Sequence, residues 1–104
     1  MVYLYDSEGE WIAVKKGIYL YNKEGQWIGW FPSNDKVAVD IDGEYLATIY
    51  QKDRLLVNSF QGMIMNAGFV NRPFGLGFIS KPMEFKSKVI IAGTRDVSRR
   101  DLKL

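Results

Sequence analysis

The first third of the chain repeats one unit of aromatic residues around a turn, and its two copies align without a gap. Residues 3–14 read YLYDSEGEWIAV and residues 19–30 read YLYNKEGQWIGW. Asp6 and Asn22 suit the first position of a type I turn, where the side chain bonds to the backbone two residues on. Gly9 and Gly25 suit the left-handed position that follows, which disfavours any residue with a Cβ. Each unit is therefore predicted to be a β-hairpin.

A three-residue loop also predicts how the two strands of the first unit pair. The expected pairs are Tyr5 with Trp11, Leu4 with Ile12 and Tyr3 with Ala13. Because successive strand side chains point to opposite faces, this register predicts an aromatic face and an aliphatic face. In the first copy the aromatic face holds Tyr3, Tyr5, Trp11 and Ala13, and the aliphatic face holds Leu4, Ile12 and Val14. The corresponding sets in the second copy are Tyr19, Tyr21, Trp27 and Gly29, and Leu20, Ile28 and Trp30.

Both faces of these hairpins are apolar, which is unusual for a hairpin that lies on a single core. We therefore expect both faces to be covered, by other repeats, by another subunit or by a ligand. A free monomer would otherwise expose more contiguous apolar surface than soluble chains normally carry. This reasoning predicts a homo-oligomer, with a two-fold dimer as the first expectation because such dimers are the commonest assemblies.

The turn pattern returns between Asp40 and Gly43 and, less regularly, between Ser59 and Gly62. Small β repeats of this kind bury their apolar faces only by packing on one another. We expect an all-β fold with three to four pseudo-repeated antiparallel β-hairpins in one compact domain, residues 1–104. The expected repeat units are residues 3–14, 18–31, 37–49 and 56–67.

The repeated unit resembles that of the four-fold beta-flower family, small bacterial proteins built from tyrosine–aspartate–glycine hairpins. The similarity covers about residues 3–62 and is clearest from Ile18 through Gly25 to Phe31. The resemblance implies pseudo-symmetric hairpins, and it fits an orphan protein of a mobile genetic element. The family has no established activity, so the resemblance implies no catalytic residues. The sequence departs from the family pattern after Gly62.

The last third has a different composition. Residues 68–79 mix glycine with phenylalanine, and we interpret them as a packed loop that closes the sheet system; a subunit-contact arm or pocket lip is the alternative. Residues 86–93 (KSKVIIAG) are predicted to be a strand. Residues 94–104 form a basic tail interrupted by two aspartates, expected to be solvated or docked on a subunit.

Composition removes most familiar catalytic chemistry. The chain has no cysteine, so it has no disulfide and no thiolate metal ligand. It also has no histidine, which is the commonest general base and the commonest metal ligand. The acidic run from Asp40 to Glu44 is similar to part of a calcium loop, but a solvated turn explains it better because further oxygen ligands are missing. We expect no catalytic residue, no cofactor and no metal. The predicted function is a non-enzymatic binding or assembly module; an enzyme that uses only carboxylates and lysines is an alternative.

Aromatic and basic residues supply the remaining candidates. Packing explains the aromatic rings more simply than a stacking surface for sugars or bases does. Possible ligand or interface residues are Tyr5, Trp11, Tyr21, Trp27, Tyr45, Phe69, Phe74 and Phe78. Nucleic-acid binding is a second alternative, with possible phosphate contacts from Arg95, Arg99 and Arg100, although a net charge of +2 does not argue for it alone. The chain lacks an apolar run of about 20 residues and opens without a signal-peptide pattern, so we expect a cytoplasmic protein with no membrane partner.

Overall fold

A computed structural model describes residues 1–59, 68, 70–84 and 86–104. These residues form eight β-strands and no helix. The strands are β1 (Val2–Tyr5), β2 (Trp11–Lys16), β3 (Tyr19–Asn22), β4 (Trp27–Trp30), β5 (Val37–Asp40), β6 (Tyr45–Tyr50), β7 (Arg54–Asn58) and β8 (Thr94–Asp96). The predicted all-β class is confirmed.

The first seven strands form a closed barrel. Each strand from β1 to β7 pairs antiparallel with the next, and β1 pairs in parallel with β7 through Tyr5 and Arg54. This seam is short, but the backbone N–H of Tyr5 donates to the Asp53 carbonyl at 2.8 Å. The buried guanidinium of Arg54 donates to the Asp6 carbonyl at 3.1 Å across the same seam. Closure leaves β1 without a free edge at this point, and β8 pairs with the second half of β7.

Three of the four predicted turns form as expected. Gly9, Gly25 and Gly43 have φ angles of 89°, 83° and 87°, in the left-handed region that favours glycine. The side chain of Asp6 accepts the backbone N–H groups of Glu8 and Glu10, both at 2.9 Å. The second and third turns repeat these bonds at Asn22 and at Asp40. The fourth predicted turn, between Ser59 and Gly62, lies outside the described residues.

The predicted strand register is correct at one pair and wrong beyond it. Tyr5 pairs with Trp11 as expected, but Leu4 then pairs with Ala13 and Tyr3 with Val14. A β-bulge causes this shift, because it places one extra residue in the second strand. The same bulge occurs in the second and third hairpins. It is a property of the repeat that a regular pairing rule does not include.

The bulge changes which residues face inward. Both Ile12 and Ala13 are buried in the main core, while Val14 lies on the opposite face with Tyr3 and Trp11. The assignments of Ala13 to the aromatic face and Val14 to the aliphatic face were therefore wrong. The main core fills the barrel with residues from all seven strands, and its members are Leu4, Ile12, Ala13, Leu20, Ile28, Phe31, Ala38, Leu46, Ala47, Ile49, Leu55, Val57, Val97 and Leu102.

The strap, residues 70–84 and 86–93, packs against the outside of the barrel. Its residues 70–91 have no regular secondary structure where they are described. The strand predicted at residues 86–93 is therefore wrong, and the C-terminal strand is β8 at Thr94–Asp96. The apolar run that suggested a strand lies beside the first turn, where the Val89 N–H donates to the Ser7 carbonyl at 2.8 Å.

The tail, residues 97–104, contributes to the main core. Val97 and Leu102 are 7% and 2% exposed and join the cluster inside the barrel. The buried Asn22 side chain donates to the Leu102 carbonyl at 2.9 Å. A tail that is solvated or docked on a subunit was therefore the wrong expectation, because Val97 and Leu102 complete the core of the same chain.

Candidate functional site

The strap covers the aromatic face of the first two hairpins. Three tyrosine hydroxyls on β1 and β3 donate hydrogen bonds to strap carbonyls. The pairs are Tyr3 with Ser80 at 2.8 Å, Tyr19 with Asn71 at 3.2 Å and Tyr21 with Phe74 at 3.3 Å. Leu76 and Ile79 add apolar contacts to the same face. The coverage expected for this face thus comes from the chain's own last third.

Two turn glycines let the strap approach the barrel closely. A Cβ on Gly25 would lie 2.3 Å from the Gly77 carbonyl oxygen, and one on Gly9 would lie 2.1 Å from that of Lys86. The N–H of Leu76 donates to the Gly25 carbonyl at 3.0 Å. These glycines therefore serve both the turn and the strap contact.

Charged groups hold the strap near the barrel seam. The Lys86 ammonium lies 2.8 Å from a carboxylate oxygen of Asp53 and 2.8 Å from one of Glu84. The hydrogen bonds to Asp53 and then to Glu84 raise the pKa of Lys86 above its ordinary 10.5, so it stays charged. The same ammonium lies 5.5 Å from the centre of the Tyr5 ring.

Three predicted site tyrosines have structural roles. Tyr5 and Tyr21 are each 3% exposed, and burial is the main cause that raises the pKa of both phenols. Tyr45 is half-buried; its hydroxyl lies 2.8 Å from that of Thr48 and accepts the Asn58 N–H at 2.9 Å. These tyrosines are held by packing and internal hydrogen bonds, so they offer little surface to a ligand.

The two repeat tryptophans are half-buried and equivalent. The indole N–H of Trp11 donates to the Ala13 carbonyl at 2.9 Å, and that of Trp27 donates to the Gly29 carbonyl at 2.7 Å. The ring of Trp11 also meets Tyr3 edge-on, with ring centres 5.6 Å apart, rather than its strand partner Tyr5. Each indole has its single donor occupied, so only ring surface remains for a ligand.

Each tryptophan lines a different cleft. The Trp11 cleft, about 580 Å³, is lined by Tyr5, Gly9, Glu10, Trp11, Lys23, Lys81, Pro82, Met83 and Glu84. The Trp27 cleft, about 610 Å³, is lined by Gln26, Trp27, Arg72, Pro73, Phe74, Gly75 and Lys103. Both volumes lie in the range of small-molecule sites. The structure thus brings together two predicted site residues in each cleft, Tyr5 with Trp11 and Trp27 with Phe74.

The strap presents large apolar side chains to solvent. Phe74 and Phe78 are 96% and 91% exposed, and Phe69 lies outside the described residues. Met83 and Ile90 are 101% and 90% exposed and were not among the predicted site residues. The sequence around Ile90 did not indicate an exposed side chain, because Ile90 belongs to a run that is typical of a strand.

The three predicted phosphate-binding arginines are exposed but do not share one basic site. Arg95 lines a cleft with Asp40, Glu44 and Asp101, where the carboxylates outnumber it and would repel a phosphate. Arg99 and Arg100 lie in the tail, where their carbonyls accept the N–H groups of Leu104 and Lys103. Lys103 and Arg72, which were not among the predicted phosphate contacts, line the Trp27 cleft instead. They are 31 residues apart, so no local motif indicates the pairing.

Acidic groups in the turns bond to the backbone. Burial is the main cause that raises the pKa of Asp6 above its ordinary 3.8, although two backbone N–H bonds oppose the shift. Among the described residues, no group of three or more carboxylates lies close enough to hold a metal ion.

Comparison with known proteins found no match to this chain among protein-family models, curated proteins or solved structures. The part of the chain that the structure describes contains no helix long and apolar enough to cross a membrane. The resemblance to the beta-flower family stays a hypothesis based on the repeated unit.

Proposed function

We propose that this chain is a non-enzymatic assembly module that pairs with a second copy through the outer surface of its strap. One observation carries the proposal: Phe78, Met83 and Ile90 are each at least 90% exposed on the strap. On soluble proteins, large exposed apolar side chains that join into a patch of more than a few hundred Å² mark interaction sites.

The backbone beneath these side chains is held in place, which favours an interface. Tyr3 and Tyr21 donate hydrogen bonds to strap carbonyls, and Ile79 is buried between the exposed residues. A surface that is already ordered loses less conformational entropy on association. A two-fold contact uses the same patch twice and needs about 800 Å² from each partner.

Sedimentation equilibrium at micromolar concentration tests this proposal. We expect a species of about twice the 12.0 kDa chain mass. The double variant Phe78→Ser, Met83→Ser should sediment as a monomer with an unchanged circular dichroism spectrum. Ile41→Ser is the matched control, since Ile41 is an exposed apolar residue that belongs to the third turn and not to the strap.

A monomer at every concentration would contradict the proposal, as would a dimer that both variants leave intact. Turnover against a broad panel of hydrolase substrates would favour the enzymatic alternative. The mobile-element origin is a separate proposal, and the genes that flank the coding sequence test it.

A further inference from the structure

We propose that the Trp27 cleft binds single-stranded nucleic acid, with bases stacked on Trp27 and Phe74 and phosphates held by Arg72 and Lys103. The proposal is independent of the assembly function. It rests on the aromatic surface, the charge and the fixed backbone of this one cleft.

The rings of Trp27 and Phe74 can contact a base only by stacking. The indole N–H of Trp27 is engaged by the Gly29 carbonyl at 2.7 Å, which fixes the ring plane on β4. The Phe74 ring is 96% exposed, yet its carbonyl accepts the Tyr21 hydroxyl at 3.3 Å. Neither ring has a spare hydrogen-bonding group to read a base edge. Base recognition here is therefore expected to tolerate any sequence, as aromatic stacking platforms do.

The charge of the cleft selects an anion. Among the residues that the structure describes, Arg72 and Lys103 are the charged ones that line the cleft, and both are exposed. The Trp11 cleft has the equivalent tryptophan, but there two lysines face two glutamates and cancel. The Arg95 cleft carries three carboxylates for its one arginine. Two cations beside two aromatic rings match a sugar–phosphate chain with unpaired bases, whereas a neutral sugar would leave the cations without a role.

The two cations are positioned by elements from opposite ends of the last third. Lys103 follows the buried Leu102, whose carbonyl accepts the Asn22 side chain at 2.9 Å behind the second turn. Arg72 lies in the strap, next to Asn71, whose carbonyl accepts the Tyr19 hydroxyl at 3.2 Å. The second hairpin thus anchors both segments, and the cleft exists only when the strap and the tail are docked.

Fluorescence anisotropy with a labelled oligothymidylate of about 12 nucleotides tests the proposal, since this length is in the range that one small β-barrel covers. We expect binding that weakens with salt, with a slope of log K against log salt of about −1.4 for two phosphate contacts. Arg72→Gln should reduce the slope by about 0.7, and Arg72→Gln with Lys103→Gln should abolish binding.

Ring variants and matched controls distinguish binding at this site from nonspecific attraction of the oligonucleotide to basic side chains. Trp27→Leu and Phe74→Leu should each weaken binding about tenfold or more, the usual effect of losing one stacking plane. Trp11→Leu removes the repeat-equivalent ring, and Arg99→Gln removes an exposed cation outside the cleft; both should change affinity less than about twofold. Because Phe74 is almost fully exposed, its variant should fold even if Trp27→Leu does not, and circular dichroism checks each variant.

Three results would overturn the inference: no binding at low salt, equal losses in the cleft and control variants, or tripolyphosphate competing as well as the oligonucleotide. The last would identify a simple anion site. All cleft variants keep Phe78 and Met83, so sedimentation of the same samples shows whether assembly is intact. Failure of nucleic-acid binding and failure of assembly are thus observed separately.

Discussion

At the scale of single residues, turn glycines have two roles: they adopt a left-handed φ, and they allow the strap to approach closely. The sequence indicates only the first. The left-handed φ of Gly25 follows from the turn, and Gly17 between β2 and β3 has a similar φ of 61°. They differ in their surroundings: a Cβ on Gly17 would meet no atom within 4 Å, whereas one on Gly25 would overlap the Gly77 carbonyl.

We therefore expect Gly25→Ala to destabilise the protein more than Gly17→Ala. Both variants place a side chain at positive φ, which costs about 1–2 kcal/mol. Gly25→Ala must also displace the strap backbone, which adds roughly 1–3 kcal/mol. Urea unfolding measures the difference, and limited proteolysis should cut the strap faster in Gly25→Ala alone. Equal losses would contradict the strap contact. The same reasoning predicts that Gly25→Val costs more than a substitution of the exposed Lys23.

Asp6 gives a prediction for pH. Its folded-state pKa is raised, mainly by burial, so the folded protein binds this proton more tightly than the unfolded chain. This carboxyl therefore lowers stability as pH rises from about 4 through its folded pKa. Asp6→Asn keeps the side-chain oxygen that accepts two N–H groups, as Asn22 does in the second turn.

We expect the stability of Asp6→Asn relative to the wild type to increase as pH rises from about 4 to 7. Asp6→Ala should instead destabilise the protein by about 1–2 kcal/mol near pH 4, because two backbone N–H groups lose their acceptor. This loss should shrink as pH rises, because alanine also lacks the titrating carboxyl. Urea unfolding of the three proteins across this range checks both statements. A relative stability of Asp6→Asn that falls with rising pH would show that the carboxylate is favoured in the fold.

At the scale of elements, the hairpin is the repeated piece, but the barrel needs a seam and a tail. β1 and β7 share one ladder pair, and Arg54 reinforces it from a nearly buried position. The tail fills the core with Val97 and Leu102. Arg54 and the tail lie outside the expected repeat units, which explains why the pattern of the repeat does not show how the barrel closes.

Leu102→Ala should destabilise the protein by about 2–4 kcal/mol, the usual cost of a cavity at a fully buried leucine. Arg100→Ala is the matched control two residues away, exposed in the same tail, and should change stability by less than about 0.5 kcal/mol. Thermal and urea unfolding compare the two. Similar small effects would mean that the tail lies on the surface, as its composition suggested.

At the scale of the whole molecule, the barrel and the last third carry opposite net charge. Residues 1–59 contain nine acidic and six basic side chains, a net charge of −3, and residues 68–104 contain eight basic and three acidic ones, a net charge of +5. The pair of Lys86 with Asp53 and that of Lys88 with Glu8 join the two parts. The Lys88–Glu8 pair is exposed and contributes little energy, whereas Lys86 and Asp53 are half-buried; the tyrosine hydrogen bonds and buried apolar contacts also hold the strap.

This arrangement changes the basis for expecting an oligomer. The uncovered apolar surface was expected on the aromatic face of the hairpins, but the strap covers that face. The exposed apolar surface lies instead on the outer side of the strap, at Phe78, Met83 and Ile90. Of these residues only Phe78 lies in residues 68–79, the segment for which a subunit contact was the alternative interpretation, so the proposed dimer uses a surface that extends beyond it.

The sequence by itself determined the all-β class, three turns and the aromatic character of one hairpin face. These features depend on residues close together in the chain: the Asp6 side chain bonds to groups two and four residues away, and Gly9 sets its own φ. The barrel seam and the positions of the strap and tail were decided by tertiary structure. Their contacts join residues far apart, such as Asn22 with Leu102 and Tyr3 with Ser80. The energy of such contacts depends on which surfaces the folded barrel leaves uncovered. A local pattern of residues does not indicate which surfaces these are.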